Sequence, residues 1–462
     1  MSKLIVLSNR VSLPQSEQHA GGLAVALNHA LQDQGGIWLG WNGEHVKNPQ
    51  TAQFTTQSHQ QVLYITTPLS EAEYQGFYCG FANGTLWPML HSRSDLIEED
   101  VNEFDVYQQV NQRFAQHIAT IAAPTDVIWI HDYHFLSIAK YCRQFGLKNR
   151  IGFFLHIPFA SLHEWQQLKH AKRLLKDLLD YDLIGLQTEA DQKNCLNTYQ
   201  AMPFAAVDKN KVVHQYGQTL VNSYPIGVNP QAIQKAAQAN TLKLEQYFEP
   251  CPNLALPLVV SAERIDYSKG IPERLDAIEA LLNEKSLQGQ FAAVQIACPC
   301  RMEVPIYKRL YLHINQRIAA INHALHTQTW QPIYLSHQMM PHHELMQLYR
   351  KSAICWVDSL KDGMNLVAKE YIAAQDPHHP GVLVLSRYAG AAEQMQEALL
   401  VDPHDVDSLK QALYQALHMP LSERVHRYKA LITGLYQEDI KHWRKCFLTD
   451  LNSIQSLTKT AV

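Results

Sequence analysis

The chain has 462 residues, of which 46% are hydrophobic and 18% are charged, and its formal net charge is −4. This length allows two or more domains, and the apolar content predicts a folded protein with a large core. The slightly acidic balance gives no basic surface of the kind that nucleic acid or an anionic membrane requires. An anionic ligand would therefore have to be held by a local cluster of cations.

The sequence lacks the marks of an exported, membrane-spanning or metal-binding protein. Its start, MSKLIVLSNR, is too short an apolar run for a signal peptide, and no stretch reaches the ~18 apolar residues of a membrane span. The eight cysteines form no CxxC pair, and the 24 histidines are not grouped at metal-ligand spacing. We therefore expect a cytoplasmic protein with reduced thiols and no bound metal, associated with neither membrane nor nucleic acid.

Short runs rich in Val, Ile, Leu and Phe recur along the chain and alternate with helical patterns. Near-continuous apolar strands of this kind are typical of parallel sheets covered on both faces, which is the α/β class. In chain order, the predicted strands are 4–7, 127–130, 151–155, 183–186, 258–261, 292–297, 353–357 and 382–386.

The alternating pattern weakens between residues 230 and 256, where a proline-containing stretch has the character of a linker. We therefore expect two Rossmann-like, doubly wound domains, at 1–240 and 255–436. Residues 437–462 predict an amphipathic helix that packs back on the N-terminal domain. Its apolar positions recur at helical spacing and are Ile440, Trp443, Phe447 and Leu451.

Polar and basic residues follow many of the predicted strands directly. Ligands of open α/β sheets bind at the carboxyl ends of the strands, although strand ends are also where any chain becomes polar. The residues concerned are Arg10, His131, Asp132, His156, Arg264, Lys269, Arg301 and Asp362. Two domains with facing strand ends would form a central cleft lined by cations, in which arginines could bind an anionic substrate in a bidentate manner.

The segment KDGMNLVAKEYIAAQ (361–375) predicts a helix that begins near Gly363. Its acidic residue fits an ordinary N-cap. The free amides at a helix start also bind phosphate, an effect of ~0.3–1 kcal/mol at an exposed site. Since Arg264 and Lys269 would add full charges against the same group, this helix start is a candidate site for a diphosphate.

These segments resemble the trehalose-6-phosphate synthases, which are retaining glycosyltransferases of the GT-B fold. RIDYSKG (264–270) and DGMNLVAKE (362–370) are the most specific, because they occur in the right order and at the right separation. The resemblance extends along nearly the whole chain through VLSNR, AGGLAVAL, GGIWLGWNG, LWP, IWIHDYH, GFFLHIPF, YPIGV and SRYAGAAEQM.

The resemblance implies transfer of glucose from UDP-glucose to glucose 6-phosphate with retention, which gives trehalose 6-phosphate and UDP. It implies no cofactor and no metal, with the nucleotide sugar and the sugar phosphate as ligands. A role in trehalose biosynthesis and osmoprotection follows from it, as do a homo-oligomer and a separate trehalose-6-phosphate phosphatase that acts downstream.

On the acceptor side, the two arginines of the family pattern would clamp the acceptor phosphate, and an aspartate would orient acceptor hydroxyls near the reacting carbon. Aromatic residues would contact the sugar and its phosphate. The acceptor contacts implied by the resemblance are Arg10, Trp41, Tyr78, Trp87, Asp132 and Arg301.

On the donor side, Arg264 and Lys269 match the cations on the diphosphate, and Asp362 matches the acid that holds donor-sugar hydroxyls. Glu370 would bind the ribose diol. The full set of implied donor contacts is Gly22, Arg264, Lys269, Asp362, Gly363, Met364, Asn365, Leu366 and Glu370. The implied catalytic residues are Asp132, His156, Arg264 and Lys269.

Several neighbours of these residues have simpler interpretations. Strand alternation would turn His131 to the face opposite Asp132, so we expect a structural role for it. Tyr133, His134 and Trp38 are likewise expected to serve packing.

The chain also departs from the family pattern. Ala160 replaces a proline after HIPF, Lys361 replaces an arginine before DG, and VDS stands at 357–359 in place of VTP. The segment 337–345, where the family places much of its nucleobase pocket, matches poorly and is about a residue longer. The choice between UDP and another nucleotide is therefore open. The loop 203–222 is also divergent.

Two alternatives remain open. A glucosylglycerol-phosphate synthase would share the fold and the donor but use another phosphorylated acceptor, and the acceptor-side residues favour glucose 6-phosphate. A sugar-phosphate sensor without catalysis would be expected to have lost donor-site residues, all of which are present here.

Overall fold

The computed structural model describes residues 2–13, 27, 31, 35–97, 100–284 and 287–454. The chain forms two compact units. Unit 1 comprises Met1–Pro225 and Lys441–Val462, and unit 2 comprises Ile226–Ile440. The chain passes from unit 1 to unit 2 after Pro225, which is earlier than the expected domain limit at residue 240. Gly22 and the loop around it, which the sequence analysis assigned to the donor, lie outside the described residues.

Unit 1 is built on a ten-stranded sheet, counted over the described residues, with the order β3-β4-β2-β1-β5-β6-β7-β10-β9-β8. Its strands are β1 (Leu4–Arg10), β2 (Gly36–Val46), β3 (Thr55–His59), β4 (Val62–Ser70), β5 (Val127–His131), β6 (Arg150–Phe154), β7 (Leu183–Leu186), β8 (Ala205–Asp208), β9 (Lys211–His214) and β10 (Gly217–Ser223). The strands from β4 to β10 in this order are parallel, whereas β3, β9 and β8 pair in antiparallel fashion at the two edges.

The helices of unit 1 follow local sequence rules. Asp100, for example, precedes the helix Val101–Ile121, and its carboxylate accepts the amide of Asn102 as an N-cap. The α-helices are Glu71–Glu73, Trp87–Leu90, Val101–Ile121, Ile138–Gln144, Leu162–Trp165, Ala171–Leu178, Glu189–Gln200 and Ile440–Ser453, and a π-helix spans Tyr74–Leu86. Short 3-10 turns occupy Pro49–Thr51, Ser94–Leu96 and Tyr133–Phe135.

The helix Ile440–Ser453 packs into the core of unit 1. A Cβ atom on Gly152 would lie 2.8 Å from the Phe447 ring, and one on Gly185 would lie 2.6 Å from it. Glycine in two neighbouring strands therefore leaves the space that Phe447 fills. The same ring stacks at 4.8 Å on Trp129 of β5.

Unit 2 contains, within its described residues, a six-stranded parallel sheet in the order β13-β12-β11-β14-β15-β16. Its strands are β11 (Leu258–Arg264), β12 (Ala292–Cys298), β13 (Ile333–Ser336), β14 (Ile354–Val357), β15 (Val382–Ser386) and β16 (Leu399–Val401). Its α-helices are Pro230–Ala237, Ile271–Asn283, Pro305–Leu325, His342–Lys351, Leu366–Ala374, Val406–His418 and Leu421–Gln437, with 3-10 turns at Leu244–Gln246 and Gly390–Glu393. One face of this sheet, which includes Val259, Ala293, Ile354 and Val382, packs with the helices Ile271–Asn283, Pro305–Leu325 and Val406–His418 in a single hydrophobic core cluster.

The predicted α/β class with two largely parallel sheets is confirmed, and each of the eight predicted strands overlaps a strand of the structure. No helix in the described part of the chain is both long enough and apolar enough to cross a membrane.

Candidate active site

In unit 1, three neighbouring strands bring the predicted residues to one edge of the sheet. β1, β5 and β6 are adjacent and parallel, so their carboxyl ends lie side by side. β1 ends at Arg10, β5 is followed by Asp132, and His156 comes shortly after β6. This is the edge at which open α/β sheets bind ligands.

Asp132 has a strained backbone. Its φ of 75° and ψ of 167° lie in a region that is nearly restricted to glycine, at a cost of roughly 1–3 kcal/mol for other residues. Two hydrogen bonds hold it there. Its amide donates to the carbonyl of Phe154 at 2.8 Å, and its Oδ1 accepts the amide of His156 at 3.2 Å. Strain of this kind concentrates at functional sites, and here it fixes a carboxylate beside the end of β6.

His156 is half-buried and lies against a second histidine. Its Nε2 is 3.0 Å from Nδ1 of His131. Burial lowers the pKa of His156 to about 3, so its imidazole is neutral at physiological pH. His131 was expected to be structural because it faces away from Asp132. The alternation of side chains along β5 could not predict the contact of His131 with His156. His156 lies beyond the end of β6, where strand geometry no longer fixes the direction of a side chain.

An aromatic cluster lies beside Arg10. The guanidinium carbon of Arg10 is 5.4 Å from the centroid of the Trp41 ring, and the Tyr78 ring is 5.1 Å from the same ring. Gly43 lies directly under the guanidinium, since a Cβ atom there would be 1.8 Å from Cζ of Arg10. The structure thus brings three of the predicted acceptor residues together and shows that a glycine allows their approach.

Tyr78 belongs to the π-helix, an element that the sequence analysis did not anticipate. The amide of Trp87 donates to the carbonyl of Ala82, which is the i to i−5 bond of a π-helix. π-Helices are rare and are frequent at functional sites. Trp87, the fourth predicted acceptor residue of this unit, is only 4% exposed and packs on Tyr133 at 5.5 Å.

In unit 2, the predicted donor residues meet around one carboxylate. Nζ of Lys269 donates to Oδ2 of Asp362 at 2.5 Å, and Nδ2 of Asn365 donates to the same oxygen at 3.1 Å. The side chains of Lys269 and Asp362 are 13% and 12% exposed. The pair is therefore largely shielded from water and neutralises itself. Arg264 ends β11 and is exposed.

The helix after this pair begins later than predicted. It spans Leu366–Ala374, and its N-cap is Asn365, whose side chain accepts the amide of Ala368. The expectation of a helix start near Gly363 is therefore wrong by three residues. The reason is that the carboxylate of Asp362 accepts hydrogen bonds from Lys269 and Asn365 and does not cap the helix. Asn365, at a φ of 76°, is the N-cap instead. Gly363 and Met364 lie in the connecting loop.

Arg301, the second predicted phosphate clamp, lies in unit 2, whereas Arg10 lies in unit 1. Its Nη1 is 3.1 Å from Oδ2 of Asp266 and donates to the Tyr307 hydroxyl at 2.5 Å. The side chain is 5% exposed. Arg301 is therefore held in place by a buried counter-ion.

The chain matches the description of glycosyltransferase family 20 over residues 6–453. It belongs to this family. The trehalose-6-phosphate synthase of Sodalis glossinidius (strain morsitans) is 38% identical over 459 residues, which cover 99% of this chain and 97% of that protein. The predicted family, the GT-B fold and the glycosyltransferase activity are confirmed.

Two solved structures of this kind carry ligands. An E. coli protein bound with UDP-2-fluoro glucose is 37% identical with a TM-score of 0.92, and the match covers 98% of this chain and 100% of that one. The trehalose-phosphate synthase of Burkholderia xenovorans in complex with glucose-6-phosphate is 36% identical with a TM-score of 0.93, and the match covers 97% of this chain and 100% of that one.

Sequence reasoning missed His342, which lies in the divergent segment 337–345. Its Nε2 is 3.3 Å from Oε1 of Glu370, the predicted ribose ligand, which is 7% exposed. Burial opposes a charge on His342, but the hydrogen bond and the negative charge of Glu370 outweigh it and raise its pKa. A poorly matching segment offered no signal that one of its residues would pair with a family-20 motif.

The substitution of VDS for VTP has a structural counterpart. Asp358 is fully buried, and its Oδ1 accepts hydrogen bonds from both Nε and Nη2 of Arg274. Arg274 also donates to Oε1 of Glu263 at 2.7 Å. The departure therefore adds a buried carboxylate, with its counter-ion, in the loop that leads from β14 to Asp362.

Proposed function

We propose that this chain transfers glucose from UDP-glucose to glucose 6-phosphate with retention at the anomeric carbon, releasing UDP and trehalose 6-phosphate. The observation that carries the proposal is the assembly of Lys269, Asp362 and Asn365 at one strand edge, with Glu370 one helical turn further on. Similar proteins have been solved with UDP-2-fluoro glucose and with glucose-6-phosphate, the two classes of ligand required.

On the donor side, Lys269 and Arg264 stabilise the diphosphate that leaves. A phosphate that enters offers Lys269 a second anionic partner, so the ammonium is shared between the phosphate and Asp362. The amides of Gly363 to Leu366 bind the donor phosphates or the sugar, since amides at a helix start favour anions. Glu370 accepts two hydrogen bonds from the ribose diol.

On the acceptor side, Arg10 and Arg301 bind the phosphate of glucose 6-phosphate, because guanidinium groups recognise phosphate in a planar, bidentate manner. Tyr78, Trp87 and Trp41 contact the acceptor sugar and its phosphate, since aromatic rings offer apolar faces to a sugar while their polar tips can form hydrogen bonds. Asp132 orients the attacking hydroxyl, and its fixed backbone removes the need to reorganise during the reaction.

The chemical step in this proposal uses protein cations rather than a metal. The acceptor hydroxyl attacks from the face that the diphosphate leaves, through an oxocarbenium-like transition state, and a phosphate oxygen of the leaving group takes its proton. His156 contacts the transferred glucose as a neutral imidazole. Gly22 would approach the donor as the family pattern implies. The product is a phosphate ester, so the pathway needs a separate phosphatase, and we place both enzymes in the cytoplasm, with this one as a homo-oligomer.

The test is nucleotide release by the purified chain given UDP-glucose, with and without glucose 6-phosphate and in the presence of EDTA. Release of UDP that depends on glucose 6-phosphate, with a disaccharide phosphate identified by mass spectrometry, is the expected result. If product forms only with glycerol 3-phosphate, the acceptor is glycerol 3-phosphate and the chain is a glucosylglycerol-phosphate synthase. Binding of both ligands without any product, with or without added Mg²⁺, would show that the chain is a sugar-phosphate sensor and not an enzyme.

A further inference from the structure

Two histidines from neighbouring strands meet in the interior of unit 1. His131 ends β5, and His156 follows β6, its neighbour in the sheet. Nδ1 of His131 lies 3.0 Å from Nε2 of His156, which is the distance of a hydrogen bond between the two rings. The proposed reaction assigns a role to His156 and none to His131.

The surroundings keep both rings neutral. The centroid of the His131 ring is 4.5 Å from that of Trp129, and the centroid of the His156 ring is 6.2 Å from that of Trp443. Burial in this apolar environment lowers the pKa of both histidines, that of His156 to about 3. Two neutral imidazoles in contact share one proton along the line between their nitrogens, so one ring donates and the other accepts.

The other nitrogen of His131 decides which ring donates. Nε2 of His131 is buried and has no hydrogen-bond partner within the described residues. A proton on this nitrogen would leave a buried N–H without an acceptor, and such orphan donors are rarer than unpaired acceptors. The proton of His131 therefore belongs on Nδ1, which donates to Nε2 of His156.

This arrangement fixes the tautomer of His156. Because Nε2 of His156 accepts a hydrogen bond, its own proton must be on Nδ1. Nδ1 lies 3.5 Å from the amide nitrogen of Gln187, and a half-turn of that amide presents its oxygen to the N–H instead. A contact of this length is weak, so the Nδ1–H group is available to a substrate oxygen.

We propose that His131 is a positioning residue for glucosyl transfer, which fixes the proton of His156 on Nδ1 and holds the ring so that this N–H can hydrogen-bond to the transferred glucose. The inference rests on the proposed function only for the assignment of His156 to the donor sugar. The tautomer itself is a property of the free protein and can be measured without turnover.

The first experiment is nitrogen-15 NMR of the imidazoles in full-length, histidine-labelled protein, with the His156 signals assigned from a His156→Gln variant. Protonated and bare imidazole nitrogens differ strongly in shift. We expect a neutral His156 with its proton on Nδ1 throughout the range from pH 6 to 8. A proton on Nε2 of His156, or a ring that exchanges between the two tautomers, would overturn the proposal.

The second experiment uses variants of His131. His131→Phe keeps an aromatic ring in the cage but removes the donor. His131→Asn retains a hydrogen-bond donor, because its amide nitrogen lies close to the position of Nδ1. We expect kcat for transfer from UDP-glucose to fall at least ~10-fold in the phenylalanine variant, the loss typical of one hydrogen bond, and to recover to within a few-fold in the asparagine variant. His117→Phe, at a half-buried histidine stacked on Phe54 at 3.8 Å, is the matched control and should leave kcat unchanged.

The pH profile separates positioning from packing. In His131→Phe, Nε2 of His156 is released and can take up a proton, so the acid limb of the kcat profile should move to higher pH. Equal kcat and equal pH profiles for His131→Phe and the wild type, with both proteins folded, would overturn the proposal. If the wild type shows no glucosyl transfer, the proposed function fails, while the NMR measurement still decides where the proton of His156 lies.

Discussion

The two units present their candidate site residues in different ways. In unit 1, the groups at the strand ends are one cation, Arg10, together with aromatic rings, neutral imidazoles and one carboxylate on a strained backbone. In unit 2, most of them are charged groups, and three of these are paired with a carboxylate. Lys269 pairs with Asp362, Arg301 with Asp266, and His342 with Glu370.

This difference suits the two parts of the proposed reaction. Unit 2 would receive a diphosphate. Cations that carboxylates already hold in place can bind an incoming anion without first having to be ordered. Unit 1 would hold the acceptor sugar beside a reacting carbon, where fixed direction matters more than net charge. Packing and backbone strain supply that direction. The contrast can be tested by removing a charge in one unit and a geometric constraint in the other.

The largest effect is expected from Lys269→Met. This change removes a cation from the proposed diphosphate site and takes from the shielded carboxylate of Asp362 the positive charge of Lys269. Breaking such a pair costs about 3 kcal/mol of stability, and we expect kcat/KM to fall at least ~100-fold. The double variant Lys269→Met with Asp362→Asn removes the charge of this carboxylate as well. It should regain thermal stability but not activity, and a double variant that regains both would argue against a role in the reaction.

Asp132→Gly should separate stability from activity in unit 1. Glycine adopts a φ of 75° without strain, so the free energy of unfolding should rise by about 1 kcal/mol even though the hydrogen bond to the amide of His156 is lost. The loss of the carboxylate should lower kcat by ~100-fold or more. Thermal unfolding and steady-state kinetics measure the two effects. A less stable Asp132→Gly variant would show that the backbone is not strained.

Gly43→Ala should affect the acceptor alone. The new methyl group would collide with the guanidinium of Arg10, at 1.8 Å from Cζ, and would push it away from Trp41. We expect KM for glucose 6-phosphate to rise roughly 10-fold with a smaller change in kcat, as for one charged hydrogen bond. Gly146→Ala is the control, because Gly146 also has a positive φ but a Cβ atom there meets nothing within 4 Å. An equal effect of both changes would mean that backbone strain, and not Arg10, is responsible.

The smallest effect is expected from His342. Its pKa is raised, because its hydrogen bond and ion pair with Glu370 outweigh burial. This pairing therefore stabilises the fold most below the ordinary histidine pKa, and the contribution is lost as the pH rises through the raised value. Above that value Glu370 is free for the ribose, so KM for UDP-glucose should fall a few-fold between pH 6 and 8.

The matched control for this titration is the next residue in the chain. His342→Gln should flatten the dependence of the donor KM on pH, whereas His343→Gln, at a side chain that is 59% exposed, should leave it in place. A donor KM in the wild type that does not vary with pH would contradict the proposed competition between His342 and the ribose.

The sequence predicted the frame of this molecule better than its site contacts. Buried parallel strands are continuous apolar runs, so 127–130 and 382–386 could be located from composition alone. The π-helix at Tyr74–Leu86 could not, since its hydrogen bonds differ from those of an α-helix while its residues do not. The pair His131 and His156 also escaped prediction. Their contact depends on the register of two strands and on the loop beyond them, which one strand's pattern does not contain.

The start of the helix Leu366–Ala374 illustrates a competition that sequence cannot resolve. Asp362 and Asn365 are both good N-cap residues. Asp362 is taken by Lys269, which is distant in sequence, and only then is Asn365 left to cap the helix. Local propensity alone does not distinguish between these two residues, and the tertiary contact with Lys269 does.

The return of the helix Ile440–Ser453 to unit 1 has a consequence for how the protein is made. Unit 2 is an insertion, complete in the chain before the segment that fills the space beside Gly152 and Gly185 has been synthesised. At ~5–20 residues per second, the ribosome needs on the order of 10 s or more to pass through unit 2. For that time the apolar surface of unit 1 that receives Phe447 stays uncovered. The nascent chain would be most prone to aggregation, and most in need of a chaperone, during this interval.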